Sequence, residues 1–388
     1  MFNRTNRTFA VHVAKDQLRF FLGGVRPVGG QTKERVRAAV EWILRAQDAA
    51  GDGGVSMGYF PCENPGAWKT SYPETTGYII SSLLEFARCY RDEKVRQRAI
   101  KMAEWEIKVQ MRSGAVQGGT LRPPEKQTPA AFNTGMVLNG WSSAFRSTGD
   151  KNFLDAGKRA AEFLLSDLDD EGYFRTNGEF VTKGLKTYNC LCAWALYRFG
   201  EDIQDHRLLE AAVKVVKATL RQQQSNGWFA NNCLTRPEAP LLHTIGYTLQ
   251  GILEVGILGR CSDFVDSVKM GVSPIMRRLS PRGFLHGRFY SDWEPAQFSS
   301  CLTGAAQIAV VCYRLFEKLG DEHYRDFADR VVNYLKSLQV IDSPVEPING
   351  ALAGSFPLTG SYMTLGYPNW ATKYFIDALI LQDRIGGA

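Results

Sequence analysis

The chain of 388 residues has no apolar run of the roughly 18 residues that a membrane-spanning helix requires. It has no block of five or more consecutive Lys or Arg, and its net charge of +6 is spread along the whole length. The first absence means that no membrane span is expected. The second argues against a basic arm for nucleic acid. The eight cysteines include no Cys-x-x-Cys pair. Cys190 and Cys192 sit two apart on a predicted helix, so their thiols point to different sides and make a poor metal clip. Neither a metal nor another cofactor is expected, and the thiols read as buried and reduced, which fits a reducing compartment. The opening segment MFNRTNRTFAVHVAKDQLRFFLGG lacks the continuous apolar stretch and small-residue cleavage site of a secretory signal. These absences lead to the expectation of a cytoplasmic protein.

What is present is the composition of a folded globular chain. Hydrophobic residues make up 44%, charged residues 22% and aromatics 12%, which is enough to offset the ordering entropy and excludes disorder. The most informative property is repetition. Amphipathic helices are predicted to begin near Thr32, Glu93, Lys151, His206, Cys261 and Asp321, at steps of about 55–60 residues. In the first, Val36, Val40, Ile43 and Leu44 form one stripe, while Glu34, Arg35, Glu41 and Arg45 lie elsewhere. Six further segments, near 73–90, 131–147, 185–199, 241–257, 297–317 and 368–383, are apolar nearly all round and are predicted to be buried helices. The amphipathic helix often ends in Gln. A glycine turn follows it, usually with an aromatic, as in LDDEGYF, QQQSNGWF and SPRGFLHGRF. The second repeat, SGAVQGGTLRPP, keeps the glycines without the aromatic.

Six outer helices alternating with six buried ones is the pattern of an all-α (α/α)6 toroid, a barrel of six helical hairpins. A linear solenoid would leave its terminal inner helices exposed, and the last one, YPNWATKYFIDALIL, is no polar cap, so ring closure is favoured. Residues 31–388 read as a single toroid domain, preceded by an N-terminal arm over residues 1–30, strand-like or helical.

In such a ring the glycine-rich loops feed the N-termini of the inner helices, which converge on one cavity. The residues just inside them are polar in every repeat: Tyr72 and Glu74; Asn133 and Thr134; Tyr188 and Asn189; His243 and Thr244; Gln297, Ser299 and Ser300; Asn369, Trp370 and Lys373. Helix capping accounts for Thr75, Ser299 and Ser300. It fits Tyr188, His243 and Trp370 poorly, since those side chains are weak caps. A lone histidine is ordinarily a satisfied core residue, but here the matching positions of other repeats are polar as well. Converging N-termini carry free N–H donors and partial positive charge, and Lys69, Lys186, Arg236 and Lys373 lie near the same rim in sequence. An anionic ligand is expected. The loop aromatics Tyr59, Phe60, Phe174, Trp228, Phe229, Phe284, Tyr290 and Trp293 read either as local packing or as faces on which sugar rings stack.

These repeats resemble the six-hairpin glycosidase-like superfamily. The segments SYPETTGYIISSLLEF, HTIGYTLQGILE and YPNWATKYFIDAL look like bacterial exopolysaccharide-biosynthesis proteins of the VpsJ type. The resemblance covers roughly residues 30–385. It implies a carbohydrate-active toroid of a polysaccharide biosynthesis or modification system, with other biosynthesis proteins as possible partners. It implies no particular reaction and transfers no catalytic residue.

Three functional classes follow from the residues. Lyase or epimerase chemistry on a uronate needs a base for the proton alpha to the carboxylate and donors for the enolate-like intermediate. Glu74, Tyr188, His243 and Lys373 are the catalytic candidates. Tyr59, Tyr72, Asn133, Asn189, Trp228, Asp292, Trp293, Asn369 and Trp370 are the substrate-binding candidates. This reading is preferred. A glycoside hydrolase needs two carboxyl groups. Glu74 is the only acid in the six polar clusters, so its partner would be a loop acid such as Asp52, Glu63, Asp292 or Glu294. The third class is a non-catalytic glycan-binding or scaffold protein. A sugar 2-epimerase of similar fold is expected to pair histidines in its cavity, and only His243 is well placed. Asp167-Leu168-Asp169-Asp170 matches the DxDD of class II terpene cyclases but aligns with the ordinary turns of the other repeats. No Cys–His pair supports a zinc site of the lanthionine-synthetase kind.

Overall fold

The computed structural model describes residues 4–63, 68–178, 181 and 184–387. The arm is a helix, α1 (Arg4–Phe21). The outer ring consists of α2 (Thr32–Ala50), α4 (Glu93–Val109), α6 (Lys151–Asp167), α8 (His206–Leu220), α10 (Ser262–Arg277) and α12 (Glu322–Leu338). The inner ring consists of α3 (Pro73–Tyr90), α5 (Ala131–Thr148), α7 (Leu191–Ile203), α9 (Leu242–Leu258), α11 (Leu302–Leu319) and α13 (Asn369–Gly386). Each inner helix packs on the next, and α13 packs back on α3 and on α2, so the ring closes. The expected (α/α)6 toroid is the observed fold.

The tightly packed hairpins run from inner helix to following outer helix. α3 packs on α4, α5 on α6 and α11 on α12, with α2 pairing across the closure with α13. The long glycine loops therefore connect one hairpin to the next. Two of the predicted inner helices start later than their apolar segments. A 3₁₀ turn over Thr187–Cys190 precedes α7, and Ser300–Cys301 is a short strand paired with Ser355–Phe356.

Outer and inner helices start differently. Four outer helices have an aspartate N-cap: Asp92, Asp150, Asp205 and Asp321 accept from the N–H groups of Val95, Asn152, Arg207 and His323 at 2.9–3.1 Å. The inner helices have no side-chain cap. Their first N–H groups bond instead to carbonyls of the neighbouring loop: Ala131 to Thr176, Leu242 to Gly287, Leu302 to Gly354, and Asn369 across the closure to Met57. The hydroxyls of Thr76, Thr134 and Thr372 then accept the N–H groups of Val55, Val116 and Leu352, holding each loop against its own inner helix. These threonines are loop anchors.

The glutamine that ends an outer helix has a matching role. Gln110, Gln223 and Gln339 donate to the carbonyls of Ala156, Ser267 and Arg35 on the next outer helix at 2.9–3.0 Å, and the last of these closes the outer ring. The repeated turn glycine follows. Gly227 and Gly350 have φ of 86° and 89°, and a Cβ there would lie 2.3 and 2.1 Å from the carbonyls of Met270 and Ala38. Only glycine satisfies both the left-handed backbone and the close approach. Inside the ring α9 is buried along almost its whole length. Each buried Leu or Ile there contributes about 1.5–3 kcal/mol by burial.

Candidate active site

On the loop face of the ring the inner helix starts enclose a cavity of about 300 Å³. Glu74, Asn133, Tyr188, His243 and Trp370, drawn from five successive repeats, line it together. Tyr72, Tyr78, Phe132, Tyr247 and Tyr362 complete an aromatic wall.

Glu74 follows Pro73, whose fixed φ suits the first helical position and directs the next side chain inward. The Tyr72 hydroxyl donates to Glu74 Oε2 at 3.0 Å. Burial pushes the Glu74 carboxyl up to about 7, opposed by that hydrogen bond. His243 Nδ1 lies 2.7 Å from Gln307 Oε1. Burial lowers the His243 pKa to about 4, with the Gln307 bond opposing and the Lys373 charge adding to the fall, so the imidazole is neutral near pH 7. With Nδ1–H donated to Gln307, Nε2 carries the lone pair. Tyr247 lies tilted against the His243 ring with 4.3 Å between centres, and Phe132 stands between Tyr247 and Tyr188 at 4.7 and 5.4 Å. Trp370 Nε1 donates to Tyr362 Oη at 2.8 Å, tying the last loop to the wall. Burial raises the phenol pKa of Tyr72 and Tyr188, and nearby Glu74 adds to the rise, so both stay protonated donors.

Lys373 does not join this site. It lies one turn deeper, and its ammonium is drawn toward Asp377, four residues on, at 2.8 Å. Tyr374 and Tyr78 flank it at 3.8 and 4.9 Å from their ring centres, and it lines the opposite mouth. Trp228 and Trp293 pack edge-to-face on each other at 5.2 Å, and Trp293 Nε1 donates to Asn226 O at 3.0 Å. Tyr59 packs edge-to-face on Trp68 at 5.2 Å. These loop aromatics thus cover loops, and those of the cavity come from the inner helices and their starts, with Tyr362 of the last loop as the exception. Asn369 donates to Ser56 O and Thr75 Oγ1 and serves the ring closure. Asn189 is one bond removed, donating to Asn177, which lines the cavity.

The proposed carboxyl partners of Glu74 lie elsewhere. Asp292 accepts the Glu294 N–H on an exposed turn. Asp52 holds Ser71, Glu63 pairs with Lys69, and Glu294 pairs with Arg278. Among the described residues Glu74 is the only carboxyl lining the cavity, and neither Lys nor Arg lines it. Among the described residues the expected basic rim does not line the cavity, and Arg236 is paired to Glu238 at 3.0 Å. In the DLDD segment, Asp167 holds Thr176 and Asp169 accepts the Tyr173 N–H at 2.8 Å, which is turn formation. No group of His, Cys, Asp and Glu suited to a metal ion occurs among the described residues. Tyr247, four residues beyond His243, was findable by helical spacing. Tyr362 comes from a loop with no period to reveal it.

The opposite mouth, at the C-terminal ends of the inner helices, is a wider chamber of about 900 Å³ lined by Arg88, Arg91, Arg96, Arg146, Arg198, Arg314 and Arg384. Most are paired: Arg88 with Glu85 at 2.7 Å, Arg314 with Glu254 at 2.8 Å, Arg146 with Asp202 and Arg384 with Glu317 at 2.5 Å.

No family model matches the chain, and no curated protein matches it. Solved structures do match. An unsaturated glucuronyl hydrolase specific for heparin superposes with a TM-score of 0.73 at 15% identity, over 92% of this chain and 98% of that one. Cellobiose 2-epimerase from Bacillus thermoamylovorans B4167 gives 0.70 at 10% identity, over 96% and 99%. A D-mannose isomerase gives 0.70 at 13%, over 91% and 98%. At these identities the likeness is one of fold, and it is the six-hairpin toroid that the repeats implied.

Proposed function

We propose that the chain is a carbohydrate-active enzyme of bacterial polysaccharide biosynthesis or modification. It acts in the cytoplasm on an acidic, uronate-containing saccharide by lyase- or epimerase-type proton transfer. The observation that carries this reading is Glu74: one carboxyl, enclosed by aromatics and poised near neutral pH, where a single group serves best as both acid and base. In its ionised form Glu74 takes the proton alpha to the uronate carboxylate. The electron pair passes into the carboxylate as an enolate, which hydroxyl donors such as Tyr188 stabilise. Protonation of the enolate on its other face by a water, with Glu74 giving its proton to the hydroxide left behind, gives epimerisation. Expulsion of the C4 oxygen, which leaves with a proton, gives elimination. The aromatic wall supplies faces for sugar rings. The uncapped helix starts favour the substrate's negative charge.

Two-carboxyl glycoside hydrolysis fits poorly, since the second acid is not in the cavity among the described residues. A pure binding role leaves the poised Glu74 unexplained. One hydrolytic reading has support from the structural neighbours titled unsaturated glucuronyl hydrolases. An unsaturated uronyl end is an enol ether, and its hydration needs one proton donor and water.

Incubation with acidic and neutral oligosaccharides in deuterated water separates these reactions. Epimerisation incorporates solvent deuterium, elimination creates ultraviolet absorbance, and hydration of an unsaturated end removes it. We expect one of these on uronate substrates, and its loss in Glu74→Gln. Turnover unaffected by that substitution, or no reaction on any acidic saccharide, would overturn the reading.

A further inference from the structure

The large apolar side chains that are more than half exposed are clustered. Among the described residues they are Val11, Leu18, Phe21 and Leu22 of the arm, and Phe298. Phe298 is 85% exposed and Phe21 78%. Phe298 borders a groove of about 380 Å³ together with Phe20 and Gly23, on the docked side of the arm, whereas Val11, Leu18, Phe21 and Leu22 form an exposed crest on the arm itself. Val11, Leu18 and Leu22 follow i, i+7 and i+11 along one side of the arm. The opposite side, with Phe9, Val13 and Phe20, is docked on the ring. The helix is thus apolar on two sides, and only one has a partner.

Among the described side chains, the exposed charges of the arm have one sign. Lys15, Arg19 and Arg26 are exposed. Asp16, the only acid of α1, turns inward and accepts the Leu358 N–H at 2.6 Å. We propose that this face docks on an anionic lipid bilayer. Leu18, Phe21 and Leu22 enter the boundary between headgroups and acyl chains, and the three cations face the anionic headgroups. A second copy is disfavoured as the occupant, because a two-fold pairing of the crest would set Lys15 and Arg19 against their own counterparts. His12 and Asp16 fix α1 to the 358–367 segment. That same segment sends Tyr362 and Met363 into the cavity, so the loop that holds the arm also lines the cavity. Docking does not depend on the catalytic reading.

Flotation of the full chain with vesicles of phosphatidylcholine, with or without phosphatidylserine, tests this. Binding is expected only to the anionic vesicles, and it should weaken as salt rises. Phe21→Asp with Leu22→Asp should lower partitioning at least tenfold. Lys15→Gln with Arg19→Gln should lower it about twenty-fivefold, about fivefold per charge removed. Circular dichroism of the variants checks folding, and turnover on soluble saccharides should not change, which separates this test from that of the enzyme. Wild-type protein that ignores anionic vesicles would overturn the proposal. So would a dimer in sedimentation that Leu22→Asp disperses without any vesicle binding, since the second copy would then be the occupant.

Discussion

The two mouths of the ring are built from opposite ends of the same six helices, and their chemistry is opposite. The loop-face cavity has a protonatable Glu74, a neutral His243 and phenols, with neither Lys nor Arg on its wall among the described residues. The far chamber is lined with arginines held in carboxylate pairs. Helix polarity gives a physical reason. Six C-terminal ends carry partial negative charge and favour cations, whereas the N-terminal ends that meet at the cavity supply positive potential with no lining Lys or Arg among the described residues. The cavity end is therefore free to hold uncharged acid–base groups. In this reading the cavity is built for chemistry and the far chamber for stability.

Substitutions at the two mouths sharpen that contrast, and the largest expected effect is on rate. Glu74→Gln keeps the size of the side chain and a hydrogen-bonding partner for Tyr72 but cannot exchange a proton. Turnover should fall by about 10²–10⁴-fold, the ordinary contribution of a general acid or base, with saccharide binding retained in a calorimetric titration. Loss of binding in parallel with rate would make Glu74 a binding group.

At the far mouth the effect should be on stability alone. Lys373→Met leaves Asp377 with only the Ser82 hydroxyl. Breaking a buried pair costs about 3–5 kcal/mol, and Asp377 keeps 20% of its side chain exposed, so about 3 kcal/mol is expected in urea denaturation. Turnover measured below the transition should stay within a few-fold. A large loss of rate at unchanged KM would return Lys373 to the cavity chemistry.

Glu74 also predicts a pH dependence of stability at the cavity end. Its folded pKa of about 7 lies above the ordinary 4.5. As pH rises through that window the unfolded chain releases a proton that the folded chain keeps, so stability falls. Above pH 7 the cost is constant, on the order of 3 kcal/mol for a shift of about 2.5. Glu74→Gln should therefore stabilise the protein at pH 8 and leave it unchanged at pH 4. Equal denaturation midpoints for the two proteins at pH 8 would show that the carboxyl is not desolvated.

Most of the architecture was legible because repetition is a sequence property. The Gly of each loop, and the Gln that precedes it in four of the six, mark contacts repeated around the ring, and their spacing announces it. Helix starts were legible too, so Glu74, Asn133, Tyr188, His243 and Trp370 could be grouped before their geometry was known. Depth along a helix and the direction of a loop side chain were not. Lys373 is polar and close to a helix start, but its i+4 acid draws it to the other mouth. Trp228 and Trp293 are loop aromatics whose burial is satisfied by each other. Tyr362 reaches the cavity only because the last loop folds over the ring.

The smallest effect concerns substrate charge. With neither Lys nor Arg lining the cavity among the described residues, a preference for uronate over neutral oligosaccharide is expected to come from the helix starts. One helix N-terminus contributes about 0.3–1 kcal/mol to an anion at an exposed site and about 2 in partly buried geometry. The shared termini should give a preference of about tenfold, since about 1.4 kcal/mol is one decade. Mobile ions screen exposed charges over about 10 Å at 0.1 M but act far less on helix starts recessed in a cavity. The preference should therefore persist as salt is raised, in contrast with vesicle binding by the arm. Calorimetric titration of matched native and carboxyl-reduced oligosaccharides at low and high salt measures both quantities. A preference that collapses with salt would place the recognising cations on the rim after all. Equal affinity for the two forms would remove the anionic substrate, and with it the reason to prefer enolate chemistry over proton transfer on a neutral sugar.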